Sequence, residues 1–171
     1  MSGSVTALET LGVWSLCRDQ AAPLRTLRIA DDTARLLRAP EARFEASEIG
    51  LPAFAYNIEN RHLTAALEMR ARALPLIRRI EVNVKALAAP DAPVIVLDGG
   101  DELSAALVIG TDGARSLCRA AAGIEMTGWQ YPQHALAFNV RHTHPHRDIS
   151  TEFHTENGPF TLVPLPGLRS S

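Results

Sequence analysis

The densest group of side chains able to bind a metal or move protons is His142-Thr143-His144-Pro145-His146, with His134 and His154 on either side. Alternate imidazoles on a strand point to one face, an arrangement that can hold a metal or relay protons near neutral pH. Pro145 interrupts such a strand, no cysteine lies near, and Asp148 and Glu152 stand at no ligand spacing. The histidines are therefore expected at a strand end, with no metal. Nucleophilic hydrolysis finds no support either. There is no Gly-x-Ser-x-Gly elbow, and Ser116 stands instead in Gly113-Ala-Arg-Ser-Leu117. Cys118, between Leu117 and Arg119, reads as a half-buried structural thiol rather than an activated one. Phosphate-binding loops of the Walker and Gly-x-Gly-x-x-Gly types do not occur among these residues.

What remains is Leu107-Val-Ile-Gly-Thr-Asp-Gly-Ala-Arg-Ser116. Its apolar start predicts a strand buried on both faces, turning through Asp112-Gly113 onto a helix amino terminus. Glycine at 113 lets the backbone approach a ligand closely, and free N–H groups there favour an anion. In that reading Asp112 holds a ribose hydroxyl or a water and Arg115 faces a pyrophosphate. The same residues read equally well as a plain strand–turn–helix with Asp112 as the cap.

The elements that must position these groups follow from periodicity. Val5, Leu8 and Leu11 share a helical face, with Ser4 as cap and Gly12 as the break. Residues 24–44 alternate at period two through Leu27, Ile29 and Leu36, which predicts a hairpin turning at Asp31-Asp32 and ended by Pro40. A strand at Phe54–Ile58 leads to a helix from Arg61 to Leu74, capped by Asn60 and stopped by Pro75. Extended runs are expected at Ile77–Val84, Val94–Leu97, Leu103–Ala106 and Leu107–Ile109, with a tight turn at Asp98-Gly99-Gly100-Asp101. A short helix from Ala114 to about Ala122 ends at Gly123. Strands are expected again at Tyr131–Val140, Ile149–His154 and Phe160–Pro164.

The chain has 171 residues, 46% of them hydrophobic, enough for one ordinary domain with a real core. A formal charge of −2 and a pI near 6.3 argue against a nucleic-acid partner. Lys85 is the only lysine among 17 basic residues, and the arginines are dispersed, which reads as composition rather than a phosphate-binding face. No apolar run approaches the ~18 residues of a membrane span. Met1-Ser2-Gly3-Ser4 opens no signal peptide, and two cysteines make no disulfide framework. A cytoplasmic location is expected.

The Gly110-Thr-Asp-Gly-Ala-Arg-Ser116 segment resembles the Asp-Gly motif of class A flavoprotein monooxygenases, which share the para-hydroxybenzoate hydroxylase fold. More narrowly, the chain resembles the ubiquinone-biosynthesis hydroxylases, the 2-polyprenyl-6-methoxyphenol hydroxylase group. The resemblance runs through Ala7–Trp14, Gly50-Leu-Pro-Ala53, Glu59-Asn-Arg-His-Leu63, the Asp-Gly motif and Gly128-Trp-Gln-Tyr-Pro-Gln133. It continues through Val140–His146 and Gly158–Pro166, in the family's order and at about its spacing.

The resemblance implies an α+β, partial para-hydroxybenzoate-hydroxylase-like fold: an antiparallel substrate-domain sheet with flanking helices, plus part of the FAD-binding sheet. It implies FAD as cofactor, NAD(P)H as reductant, and hydroxylation of a phenolic ring, the substrate being a polyprenyl phenol. Asp112, Gly113, Arg115 and, at a helix start, Arg61 are the implied cofactor contacts; Arg61 reads alternatively as the partner of Glu59. Trp129, Tyr131 and Gln133, on alternate positions of a strand, are candidates to line the substrate pocket, or else simply pack sheet to helix; no catalytic residue is assigned.

The family's Gly-x-Gly-x-x-Gly and later Gly-Asp motifs do not occur here. The expectation is therefore a single incomplete unit from the middle of such a protein. Its parts are 1–75 (helix, strands, helix), 76–123 (strands ending in the Asp-Gly turn and helix) and 124–171 (substrate-domain strands). Alone, such a unit is expected to lack tight FAD binding and activity; the alternative is a non-catalytic fragment that binds apolar ligands or serves structure. The strand at Leu107–Ile109, without its parallel neighbours, is expected to expose an apolar edge and favour self-association. An apolar substrate of that kind, as the resemblance implies, brings the family to the periphery of a membrane, while nothing in this chain reads as a membrane-binding helix.

Overall fold

The computed structural model describes residues 2–88 and 93–171. It divides into two compact units, one of Met1–Ile77 with Ala135–Ser171, the other of Arg78–His134.

The first unit begins with α1 (Ser2–Thr10) and α2 (Trp14–Cys17). Gly12, at φ +70°, reverses the chain between them, a conformation that costs glycine little. Ser4 lies inside α1 rather than capping it. Val13, Cys17 and Ala66 are buried together, with Leu8, Trp14, Ile58 and Leu63 packed around them. Ala66 belongs to α3 (Asn60–Arg72), whose Arg70 Nε donates to the Leu11 carbonyl at 2.7 Å and ties this helix to the Gly12 turn. Glu59, with extended backbone, takes the N-cap position expected for Asn60, which is the first helical residue instead. The helix stops two residues short of Leu74, since a residue before proline is steered away from helical geometry.

Strands β1 (Ala21–Leu24) and β4 (Ala55–Ile58) pair antiparallel. A four-stranded sheet has the order β10-β9-β2-β3, formed by β2 (Thr26–Asp31), β3 (Ala42–Glu45), β9 (Ile149–Thr155) and β10 (Gly158–Leu162). Its β2–β9 pair is parallel and the others are antiparallel. A parallel pair needs a long connection, and the chain between β2 and β9 provides it. Phe153 and Phe160 face each other across β9 and β10 with centroids 6.0 Å apart, and Arg28 lies over Phe153. The hairpin β2–β3 forms as expected, but its loop is long. Leu36, expected on the second strand, sits in that loop and is 99% exposed. The cause is Asp31, whose carboxylate accepts from the Thr33 and Ala39 amides and so closes a loop where a tight turn was expected. A third sheet, β11-β12-β8, joins β8 (Val140–Arg141), β11 (Pro164–Leu165) and β12 (Arg169–Ser170). Leu165 there is fully buried.

The second unit is built on the sheet β5-β6-β7, from β5 (Val84–Ala88), β6 (Val94–Leu97) and β7 (Glu102–Ser104). Gly99 and Gly100, both at positive φ, make the β6–β7 turn that the sequence announces. Val84 pairs with Leu97 and Ala88 with Val94, so β5 begins where the expected Ile77–Val84 strand was to end. The four residues of β6 give earlier residues nothing to pair with.

Two further expectations fail, the first of them in this unit. Leu107–Ile109 forms no strand: Leu107 and Ile109 are 73% and 74% exposed, and no strand among the described residues pairs with them. Residues 131–139 are likewise not a strand. An apolar or alternating run becomes a strand only where a neighbour takes its backbone hydrogen bonds. Helix α4 (Leu117–Ala121) is shorter than expected and ends before Gly123, at φ +66°.

Candidate functional site

In the first unit, the site is built at the junction of β4 and α3. Glu59 leaves β4 in extended conformation, and its carboxylate is 13% exposed. Three donors converge on it. Arg61 Nη2 lies 3.0 Å away, Arg169 Nη2 of β12 lies 2.8 Å away, and Asn139 Nδ2 lies 3.2 Å away. Burial alone pushes the Glu59 carboxyl upward, but the Arg61 charge and the hydrogen bond and charge of Arg169 outweigh it. The pKa is held below the ordinary carboxylate value.

This carboxylate, between two guanidinium groups, stands beside an open pocket of about 400 Å³ whose charged lining side chains are Glu59 and Arg61. Asn57, Asn60, Arg61, Asn139, Leu165 and Ser171 line it. The Asn57 amide donates to the Pro164 carbonyl at 2.9 Å and to Ser171 Oγ at 3.0 Å, which fixes the pocket wall to the end of the chain. Arg61 remains 66% exposed, with guanidinium donors free for a ligand. Such a pocket suits an anionic or hydroxyl-rich group. The Glu59–Arg61 pair is legible from neighbouring opposite charges; Asn139 and Arg169 are not, because only the fold brings them there.

In the second unit, Ser116 holds the N-cap position of α4 and Asp112 reinforces it from the preceding turn. The Asp112 carboxylate accepts from Ser116 Oγ at 2.6 Å, from the Leu117 amide at 2.6 Å and from the Cys118 amide at 3.2 Å. Ser116 Oγ in turn accepts from the Arg119 amide. The Ser116 hydroxyl first, then the Cys118 amide, lower the Asp112 pKa from 3.8 to about 2. Gly113 stands at φ +78° with open space on the face a side chain would fill. Gly110 is the opposite case, since a Cβ there would lie 2.5 Å from the Cys118 Cβ. Arg115 is exposed beside this turn. The turn thus presents backbone and an exposed guanidinium, while the Asp112 carboxylate is spent on shaping it.

Trp129 and Tyr131 also belong to the second unit. They are 72% and 67% exposed, and their rings meet edge to face with centroids 6.3 Å apart. Gln133 is exposed near them. The strand that was to place these three on one face does not form.

The histidines divide between two structural roles. His142 bonds the His144 carbonyl and Ser170 Oγ. His146 donates through Nε2 to the Leu165 carbonyl and accepts the Asp148 amide at Nδ1. Among the described residues, no group of three His, Cys, Asp or Glu is placed to hold a metal.

A profile of the FAD binding domain family matches residues 2–168. The chain belongs to this FAD-binding family. It is 32% identical over 166 residues to the ubiquinone hydroxylase UbiL of Rhodospirillum rubrum. It is 33% identical over 168 residues to the 3-demethoxyubiquinol 3-hydroxylase of Escherichia coli. Each alignment covers 96% of the chain, but only 38% and 41% of the respective relative. The crystal structure of Klebsiella pneumoniae HpxO complexed with FAD and uric acid superposes with a TM-score of 0.66. It does so at 19% identity, over 97% of this chain and 43% of that one.

That likeness establishes the fold, which is the α+β, partial hydroxylase-type fold the resemblance implied. The family is described by its FAD binding domain, and both of these relatives are named as hydroxylases. No helix among the described residues is long and apolar enough to cross a membrane.

Proposed function

We propose that these residues serve an FAD-dependent monooxygenase that hydroxylates a phenolic ring, the substrate being a polyprenyl phenol on the way to ubiquinone. The observation that carries this reading is identity of 32% and 33% with two ubiquinone hydroxylases along 96% of the chain. The chain's own groups fit a flavin nucleotide in two places. Beside the first pocket, Arg61 offers exposed donors to a phosphate or ribityl hydroxyl. At the Asp112 turn, the open face of Gly113 lets a ligand lie against the backbone, and Arg115 supplies a cation. Bound FAD supplies the oxygen-activating redox chemistry, with NAD(P)H as its source of electrons. Glu59 orients Arg61, Asp112 holds the turn that presents Gly113, and Trp129, Tyr131 and Gln133 cover an aromatic substrate and exclude water. Because that substrate is largely apolar, the reading places the work at a membrane surface.

These 171 residues hold only part of the family's FAD contacts. Each lost 1.4 kcal/mol is a tenfold loss of affinity, so the chain alone is proposed to bind FAD weakly and to lack turnover. The test is a flavin fluorescence titration of the purified chain with FAD. Saturable weak quenching that Arg61→Ala and Gly113→Val each weaken at least fivefold supports the reading. Quenching indifferent to both substitutions sinks the site assignment. Phenol hydroxylation by this chain without any partner polypeptide sinks the proposed inactivity.

A further inference from the structure

The β2–β3 loop carries the most exposed pair of adjacent apolar side chains in the first unit, Leu36 at 99% and Leu37 at 87%. This loop has built-in structure. At its base, Asp31 accepts from the Thr33 amide at 3.1 Å, the Thr33 hydroxyl at 2.7 Å and the Ala39 amide at 2.9 Å. The Ala34 amide donates to Glu156 Oε1 at 3.3 Å, and the Asp32 amide to the His154 carbonyl at 3.0 Å. Residues 33 and 39 are thereby drawn to one carboxylate, and the segment Ala34-Arg-Leu-Leu-Arg-Ala39 is held out as a tip. Its formal charge is carried by Arg38 and by Arg35, which also shares a pocket with the Asp31 carboxylate and acts on it electrostatically. The acidic groups stay at the base: Asp31 within the clasp, Glu156 on the Ala34 amide, Glu41 3.9 Å from Arg28, and Asp32 exposed beside the clasp. The strand β3 that the loop feeds is an edge of its sheet among the described residues.

We propose that this tip docks the protein on an anionic lipid bilayer. Leu36 and Leu37 enter the boundary between headgroups and acyl chains, and Arg35 and Arg38 rest on the lipid phosphates. The choice of occupant follows from charge. Two apolar side chains between two guanidinium groups match a surface that is negative outside and apolar beneath. A second copy meeting tip to tip sets four arginines against each other, which opposes self-association by this route. Two leucines bury less apolar area than one acyl chain, itself a marginal anchor, so the attachment is weak and reversible. The proposal deepens the membrane-surface part of the proposed function, but its test needs neither FAD nor substrate.

The experiment is co-sedimentation of the purified chain with phosphatidylcholine vesicles and with vesicles containing phosphatidylglycerol. The expected result is binding to the anionic vesicles, weakened by added salt. Leu36→Ser with Leu37→Ser lowers it at least fivefold, and Arg35→Gln with Arg38→Gln removes the preference for anionic lipid. All four positions are solvent-exposed, so far-UV circular dichroism is expected to stay unchanged. A Leu37→Trp variant reads insertion directly, through quenching by brominated acyl chains. No sedimentation with anionic vesicles overturns the proposal. So does binding that survives the double leucine substitution, which assigns it to another apolar surface. Lipid-free dimers abolished by that substitution also overturn it, in favour of a second copy. Failure here leaves the flavin titration intact, and failure there leaves vesicle binding intact.

Discussion

Arg169 Nη2 of the last strand sits 2.8 Å from Glu59 Oε1 at the head of α3, so the end of the chain holds the carboxylate that in turn holds Arg61. Glu59→Gln keeps the side chain's size but sets two unneutralised guanidinium groups together. The expected outcome is a lower urea midpoint, and a smaller gap to the native chain at high ionic strength, because salt screens the new repulsion. Arg169→Gln removes one of the two cations and is expected to be milder. The pH dependence has a fixed sign. The folded Glu59 pKa lies below its unfolded value, so this contribution is complete above the ordinary carboxylate range. It is lost as pH falls through the folded pKa. Urea melts across pH and salt check both points.

The Asp112 carboxyl, lowered from 3.8 to about 2, makes a similar prediction for the second unit. Its contribution to α4 is full above pH ~4 and disappears toward pH ~2. Amide shifts of Leu117 and Cys118, which donate to this carboxylate, are expected to titrate with a midpoint near 2. Asp112→Ala is expected to speed hydrogen exchange across Leu117–Ala121 at neutral pH, while Asp112→Asn retains part of the protection. A midpoint near 4 in the native chain is inconsistent with the cap.

The elements legible in the sequence are those whose signals are local. Gly12 and the Gly99-Gly100 turn announce their own conformations, and the β9 and α3 segments carry clear periodicity. Leu107–Ile109 and residues 131–139 have strand-like sequences and form no strand, for one shared reason. Alternation or apolar content describes what a strand could bury, and says nothing about whether a neighbour exists to pair with it. The site divides in the same way. Asp112-Gly113 is a contiguous turn, and Glu59 and Arg61 lie two residues apart on the chain. Asn139 and Ser171 reach the pocket, and Arg169 reaches Glu59, only through the β11-β12-β8 sheet. The parallel β2–β9 pair was invisible too, since its partners lie far apart in sequence.

Leu165 is the test of that last sheet as a support for the site. It is fully buried on β11 and also lines the pocket beside Arg61. Leu165→Ala removes a large buried apolar side chain and the packing contacts it makes, and is expected to cost about 2–5 kcal/mol. Leu165→Met, which nearly conserves volume, is expected to cost less than about 1.5 kcal/mol. Chemical denaturation of the two variants separates loss of packing from simple intolerance at this position.

Gly110 and Gly113 flank Asp112 but differ in what an added methyl group meets. At Gly110 the new Cβ lies 2.5 Å from the Cys118 Cβ, so backbone or helix must move, and Gly110→Ala is expected to cost about 1–3 kcal/mol. The clash is with the Cβ itself. Cys118→Ala therefore gives little relief, whereas Cys118→Gly restores room at its own cost in helix stability. At Gly113 nothing lies within 4 Å, and only the φ of +78° opposes a side chain. Gly113→Ala is thus expected to cost about 1 kcal/mol, without any coupling to position 118. A double-mutant cycle between 110 and 118, run beside one between 113 and 118, decides the matter. Coupling in the first alone supports the close approach of the Asp112 turn to α4, and coupling in both or neither refutes it.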